Sequence, residues 1–197
     1  PIEFVHESKG CIINHREVGS HTMSFSAALR GALREDPDII LVGEMRDLET
    51  INLALEAAAT GHLVFGTLHT QSAAKTVDRV IDVFPANQQE KVRTTLSESL
   101  KAVIAQTLFK RVDVKGRAAA IEVLICTYAV GNLIREGKTF QLPSVMQTGK
   151  QYGMQVLDEA IMGLLQKRAI SPSDAYSKSI DKQKFVPFLK RAPDILI

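Results

Sequence analysis

The chain has 197 residues, 45% of them hydrophobic and 23% charged, with a formal net charge of +2. That length buries one sizeable core with room for a small appendage, and so small a net charge makes no case for a nucleic-acid partner. Cys11 and Cys126 stand far apart with no CxxC pair, which points to neither a zinc module nor a disulfide scaffold, and no apolar stretch approaches the ~20 residues of a membrane span.

Charge is unevenly spread: positions 1–60 carry ten Asp/Glu against five Lys/Arg, whereas 166–197 carry seven Lys/Arg against three Asp. An acidic front and a basic tail suggest different neighbours for the two ends.

The opening PIEFVH has no initiator Met, and Ile2, Glu3 and Phe4 alternate, which predicts a strand and a chain cut from a longer protein. GCIINHREVG (10–19) suits a short strand and a turn. Ser24 is the expected N-cap of a helix through about Glu35, with Phe25, Leu29 and Leu33 on one face and Arg30 and Arg34 on another. Asp36-Pro37 stops it, because the residue before proline is pushed out of the helical region.

IILVG (39–43) is apolar throughout, as expected of a strand covered on both faces in a parallel sheet. Asp47 then caps a helix through about Ala59, with Leu48, Ile51, Leu55 and Ala58 inward and Gly61 closing it. LVFGTL (63–68) is a second buried strand, so the unit is strand, helix, strand, with parallel neighbours. A helix near 73–82 follows. Asn87 and Glu90 have capping-box spacing and open a long helix carrying Val92, Leu96, Leu100 and Val103. Strands near 106–112 and 118–125 pair around Lys115-Gly116. Helices are expected near 129–136, 153–167 and 171–178, before a basic stretch from Phe185 to Arg191.

Ligands of a parallel sheet bind at the carboxyl ends of its strands. Glu44 ends one strand and His69 the next, with Arg46 and Thr67 beside them and Glu3 and Arg16 expected nearby. Acids, a histidine and arginines on one edge fit metal-assisted phosphoryl transfer, in which a carboxylate orients the attacking water and cations neutralise developing charge. The plainer alternatives are a solvated loop acid at Glu44, a packed histidine at His69, a helix C-terminal histidine at His62, and a solvent-facing or Asp-paired Arg79.

LREDPDIILVGEMRD (33–47) resembles the Walker B signature of type II and type IV secretion ATPases at every specified position. TGHLVFGTLHT (60–70) is similar to their histidine box, PIEFVH to the end of their aspartate box, and NLIREGKTFQLPS (132–144) to the PilT-like retraction ATPases of type IV pili. The resemblance implies an α/β fold: part of a RecA-like P-loop NTPase core with a parallel sheet over 1–126, then a mainly helical C-terminal region over 127–197. It also implies a cytoplasmic hexamer, peripheral at the inner membrane, acting on ATP with Mg²⁺ and working on a pilus platform protein. Carried over by motif position, Glu44 orients the hydrolytic water, Glu3 and Glu44 hold metal through water, and His69 senses the γ-phosphate. Arg16, Arg46 and Arg79 become candidates for charge offered to nucleotide, and Asn132, Leu133, Ile134, Arg135 and Glu136 form the retraction motif. Gly131 stands where that motif has an arginine, and Gly43 where common P-loop enzymes place a metal-binding Asp.

A phosphate-cradling GxxxxGK[ST] is absent from the 197 residues. GNLIREGKT (131–139) imitates it, but with one residue too many between its glycines and a helical approach where a strand is required. The loop is expected upstream of residue 1, so this polypeptide alone is expected neither to bind ATP tightly nor to hydrolyse it. The alternatives to a retraction motor are a pilus-assembly or type II secretion ATPase, and a non-catalytic ring subunit.

Overall fold

The computed structural model describes residues 2–189. Two compact units emerge: Pro1–His69 with Arg79–Leu100, and Thr70–Asp78 with Lys101–Ile197.

In the first unit, Ser24 accepts the Ala27 N–H and opens α1 (Phe25–Ala32); Asp47 does the same for Thr50 at the start of α2 (Leu48–Ala59). Between and after them lie β1 (Ile39–Val42) and β2 (Leu63–Gly66), paired in parallel with Ile39 opposite Leu63 and Val42 opposite Gly66. Gly61, at φ +108°, turns the chain out of α2 where an L side chain would be strained. His62 Nδ1 lies 3.0 Å from the Ala57 carbonyl, the helix-end histidine expected of it. Further along are α3 (Ala73–Asp82), which crosses the boundary between the units, and α4 (Ala86–Ser99).

The core of this unit joins Leu29, Ile40, Val42, Leu53, Ala54 and Ala57. Several expectations change here. Ile39 and Leu41 are 61% and 59% exposed, so one sheet face is covered among the described residues rather than both. Leu29 of α1 and Leu53, Ala54 and Ala57 of α2 join Ile40 and Val42 on that side. Leu48 is exposed and Leu55 and Ala58 only half-buried; α2 is apolar around most of its circumference, so periodicity alone does not choose its inward face. Residues 2–7 and 10–17 form no strand, because a three-residue alternation without a pairing partner cannot sustain one. The capping box is absent: α4 starts after Pro85 with no side-chain cap, and it ends at Ser99 instead of carrying Val103.

The second unit is built on an antiparallel hairpin of β3 (Ala102–Lys110) and β4 (Arg117–Ile125), in register from Ala102 opposite Ile125 to Lys110 opposite Arg117. One face alternates buried Val103, Ala105 and Phe109 with Ala118, Ala120, Glu122 and Leu124. After it come α5 (Tyr128–Arg135), α6 (Leu142–Thr148), which was not foreseen, α7 (Leu157–Gln166) and α8 (Pro172–Lys178). Phe109, Ala118 and Ala120 share a core with Leu157, Ile161, Leu165, Ile170 and Phe185.

Two buried acids tie this unit together through the main chain. Glu122 accepts the Ala73 N–H (2.7 Å) and the Leu157 N–H (3.2 Å), the first residues of α3 and α7. Asp158 accepts the Ile180 and Asp181 N–H groups, each at 2.8 Å. Of the basic stretch expected through Arg191, Lys182–Lys184 and Val186–Phe188 form single 3₁₀ turns, while Lys190 and Arg191 lie outside the described residues.

Candidate nucleotide-hydrolysis site

The parallel register carries the chain past Val42 and Gly66 on adjacent strands, so the segments leaving the two strands emerge at the same edge. Two links hold these exits together: the Met45 N–H donates to the Thr67 carbonyl at 3.0 Å, and the Thr67 hydroxyl donates to the Gly43 carbonyl. Gly66 makes the close approach possible, since a Cβ there would lie 2.6 Å from the Met45 Sδ and Cε.

Glu44 and His69 meet at this edge, with His69 Nε2 3.0 Å from Glu44 Oε1. Arg46 Nε bonds the same oxygen. The Glu44 side chain is 19% exposed and His69 87%, so a sheltered acid faces a histidine open to solvent. The Arg46 hydrogen bond, reinforced by its charge and by His69, holds the Glu44 carboxyl below the usual carboxylate range, against an opposing push from desolvation. Glu44 is therefore an anion at neutral pH. Oε1 is engaged twice, by His69 and by Arg46.

The other expected participants are not gathered here. Glu3 is exposed on irregular chain and makes no bond to Glu44. Arg16 pairs with Glu35 and donates to the Ala28 carbonyl, which fastens the loop before α1 to that helix. Arg79 lies exposed on α3 and forms no ion pair with a described residue. Within Asn132–Glu136, Ile134 is fully buried, Asn132 and Leu133 are half-buried, Arg135 donates to Asn132, and Glu136 pairs with Lys138 at 2.8 Å. Gly131 to Arg135 lie on α5, so GNLIREGKT is not a phosphate loop.

The donor set does not fit a directly ligated Mg²⁺: among the described residues no three His, Cys, Asp or Glu side chains converge on one point. Sequence reasoning had placed Thr67 by the site but missed its bond to Gly43 and the nesting of Met45 on Gly66. Neither leaves a signal in spacing alone.

The family model for type II/IV secretion system proteins matches residues 12–151, most of the chain. The chain belongs to that family. Within the family it is 62% identical over 185 residues to the type IV pilus retractation ATPase PilT of Pseudomonas aeruginosa, covering 94% of this chain and 54% of that protein. A twitching motility protein of Neisseria gonorrhoeae is 61% identical over 175 residues, covering 89% of this chain and 47% of its own length. The crystal structure of the pilus retraction motor PilT with bound ADP superposes with a TM-score of 0.85 at 49% identity, over 93% of this chain and 52% of that one. The fold is thus the α/β fold of a P-loop ATPase, as expected. The chain spans about half the length of the curated relatives it matches. For a secretion-family protein the matched span is informative: it contains Glu44, His69 and Arg16 but not Glu3.

Proposed function

We propose that this chain carries the hydrolytic face of the ATP site in a motor ATPase that retracts type IV pili. The observation that carries the reading is the pairing of Glu44 with His69 at the carboxyl ends of two parallel strands, in a chain so similar to retraction ATPases.

Glu44, kept ionised by Arg46, orients a water through its carboxylate towards the γ-phosphorus. The water oxygen forms a bond to phosphorus, the bond to the ADP oxygen breaks, and the water proton leaves towards the carboxylate. His69, exposed beside Oε1, donates to the γ-phosphate and so links its presence to the position of the acid. Arg79 is favoured over Arg16 and Arg46 as the arginine offered to nucleotide across a subunit boundary in a ring, because the other two are already paired with Glu35 and Glu44. Mg²⁺ would be held chiefly by nucleotide and water, and no step here depends on it. By itself the 197-residue chain, lacking GxxxxGK[ST], binds Mg-ATP weakly. A micromolar dissociation constant for the isolated chain would contradict that part.

The decisive experiment is Glu44→Gln in the full-length protein, measured by phosphate release and by equilibrium nucleotide binding. Turnover is expected to fall by roughly 10²–10⁴-fold, the range for a lost general base, with ATP binding retained. Hydrolysis at the wild-type rate would remove Glu44 from the reaction, whereas no hydrolysis by the unmodified full-length protein would favour a non-catalytic ring subunit.

A further inference from the structure

We propose that the tip of the β3–β4 hairpin and the turn after α7 form a docking surface for an anionic membrane, with two valines entering the headgroup layer between cations. The idea goes beyond the hydrolysis reading and does not depend on it.

The hairpin ends on Lys110 opposite Arg117, two like charges directly across the ladder, an arrangement that weakens a hairpin end. At the loop the Arg111 N–H closes onto the Gly116 carbonyl at 3.1 Å, and the Val112 N–H reaches the Ala169 carbonyl at 3.0 Å. That second bond brings Lys167 and Arg168 beside the tip. Arg168 sits at φ +56°, the left-handed position after a helix where glycine costs least, and it places a long cationic side chain there. Lys110, Lys115, Arg117, Lys167 and Arg168 are all exposed, and none forms an ion pair with a described residue. The one acid in the loop, Asp113, is spent on Arg111 through bonds of 2.8 and 2.5 Å. Its carboxyl is held down at about 2 by that contact, so Arg111 and Asp113 cancel and the other five charges stand uncompensated.

The apex between these cations is apolar: Val112 and Val114 are 60% and 57% exposed. Cations flanking small exposed apolar side chains suit a lipid interface, where ammonium and guanidinium groups meet phosphates while the apolar groups bury at the headgroup boundary. A single-stranded nucleic acid would call for aromatic platforms, and the tip has none.

The test is flotation of the full-length protein with vesicles of phosphatidylcholine alone, or of phosphatidylcholine with phosphatidylglycerol, at low and high salt. Binding is expected to the anionic vesicles only and to fade with salt. Each cation removed should weaken it about fivefold, so Lys115→Gln with Arg117→Gln costs roughly 25-fold. Val114→Ser should weaken it further, while Lys9→Gln with Lys91→Gln, the same charge change on exposed residues elsewhere, should leave it intact. Lys115→Arg with Arg117→Lys, which keeps charge, checks that folding is not at issue. Equal binding to both vesicle types, an equal loss in the Lys9/Lys91 variant, or capture by polyglutamate but not by vesicles would overturn the proposal; the last would assign the surface to an acidic protein.

Discussion

Replacing Glu122 tests how the second unit is held. Its carboxylate is 5% exposed and accepts two main-chain N–H groups, at 2.7 and 3.2 Å, that open α3 and α7. Hydrogen bonds to a charged group contribute ~1.5–3 kcal/mol each, and a buried donor left unpaired costs about 1–3 kcal/mol. The positive ends of both helix dipoles add to the attraction. Glu122→Ala therefore should destabilise by roughly 3–5 kcal/mol, counting the overlap of these terms once. Glu122→Gln keeps the shape and one acceptor, and its cost should be about half as large. Urea unfolding gives the magnitude, and amide hydrogen exchange at Ala73 and Leu157 gives the location, since both should lose protection together. A loss below about 1 kcal/mol for the alanine variant, or exchange faster at only one of the two amides, would refute the double-cap account.

At the start of α2, Asp47→Ala removes the acceptor of the Thr50 N–H and hydroxyl, each at 2.8 Å, and should cost about 1–2 kcal/mol by thermal unfolding. The folded Asp47 carboxyl is depressed, chiefly by the Thr50 backbone bond. Its contribution should thus be complete above the unfolded value of roughly 3.9 and vanish as pH falls through the lower folded one; Asp47→Asn should flatten that dependence. Phe109→Ala, at a ring 1% exposed with the Lys178 ammonium 4.9 Å from its centroid, should cost roughly 3–5 kcal/mol. Lys178→Gln, measured the same way, should cost ~1 kcal/mol or less. Gly66→Ala forces the Met45 side chain aside and should cost about 1 kcal/mol, most of it recovered in the Met45→Ala double variant; a cycle showing no coupling would refute the nesting.

Where a structural feature rests on chemistry within one turn or one crossover, the sequence displayed it. Ser24 and Asp47 cap as expected, the β1–α2–β2 unit is parallel, and Glu44 and His69 meet because equal register delivers both to one edge. Tertiary facts were hidden. Nothing in LETINLALEAAA says that Leu53 and Ala57 rather than Leu48 and Leu55 face the sheet, because the helix is apolar nearly all round. Asn87 and Glu90 have the right spacing for a cap, yet Pro85 sets the helix start in their place. The short helix α6 has little periodicity to read, and of its seven residues Leu142 and Met146 are buried. Arg46 was legible as a neighbour of Glu44 in the chain, but its bond to the carboxylate depends on the direction of the chain after β1.

The buried acids Glu122 and Asp158 have a consequence for which substitutions the second unit can tolerate. Their four partners are main-chain N–H groups, of Ala73, Leu157, Ile180 and Asp181. Every amino acid except proline supplies that group, so the donor side of each joint is nearly indifferent to side-chain identity. The acceptor side is not: only a carboxylate has two oxygens to serve two donors at once. At the half-buried or exposed positions 180 and 181 side-chain changes other than to proline leave the bonds intact, whereas Ala73 and Leu157 are held by burial, and positions 122 and 158 are where a single change undoes two bonds.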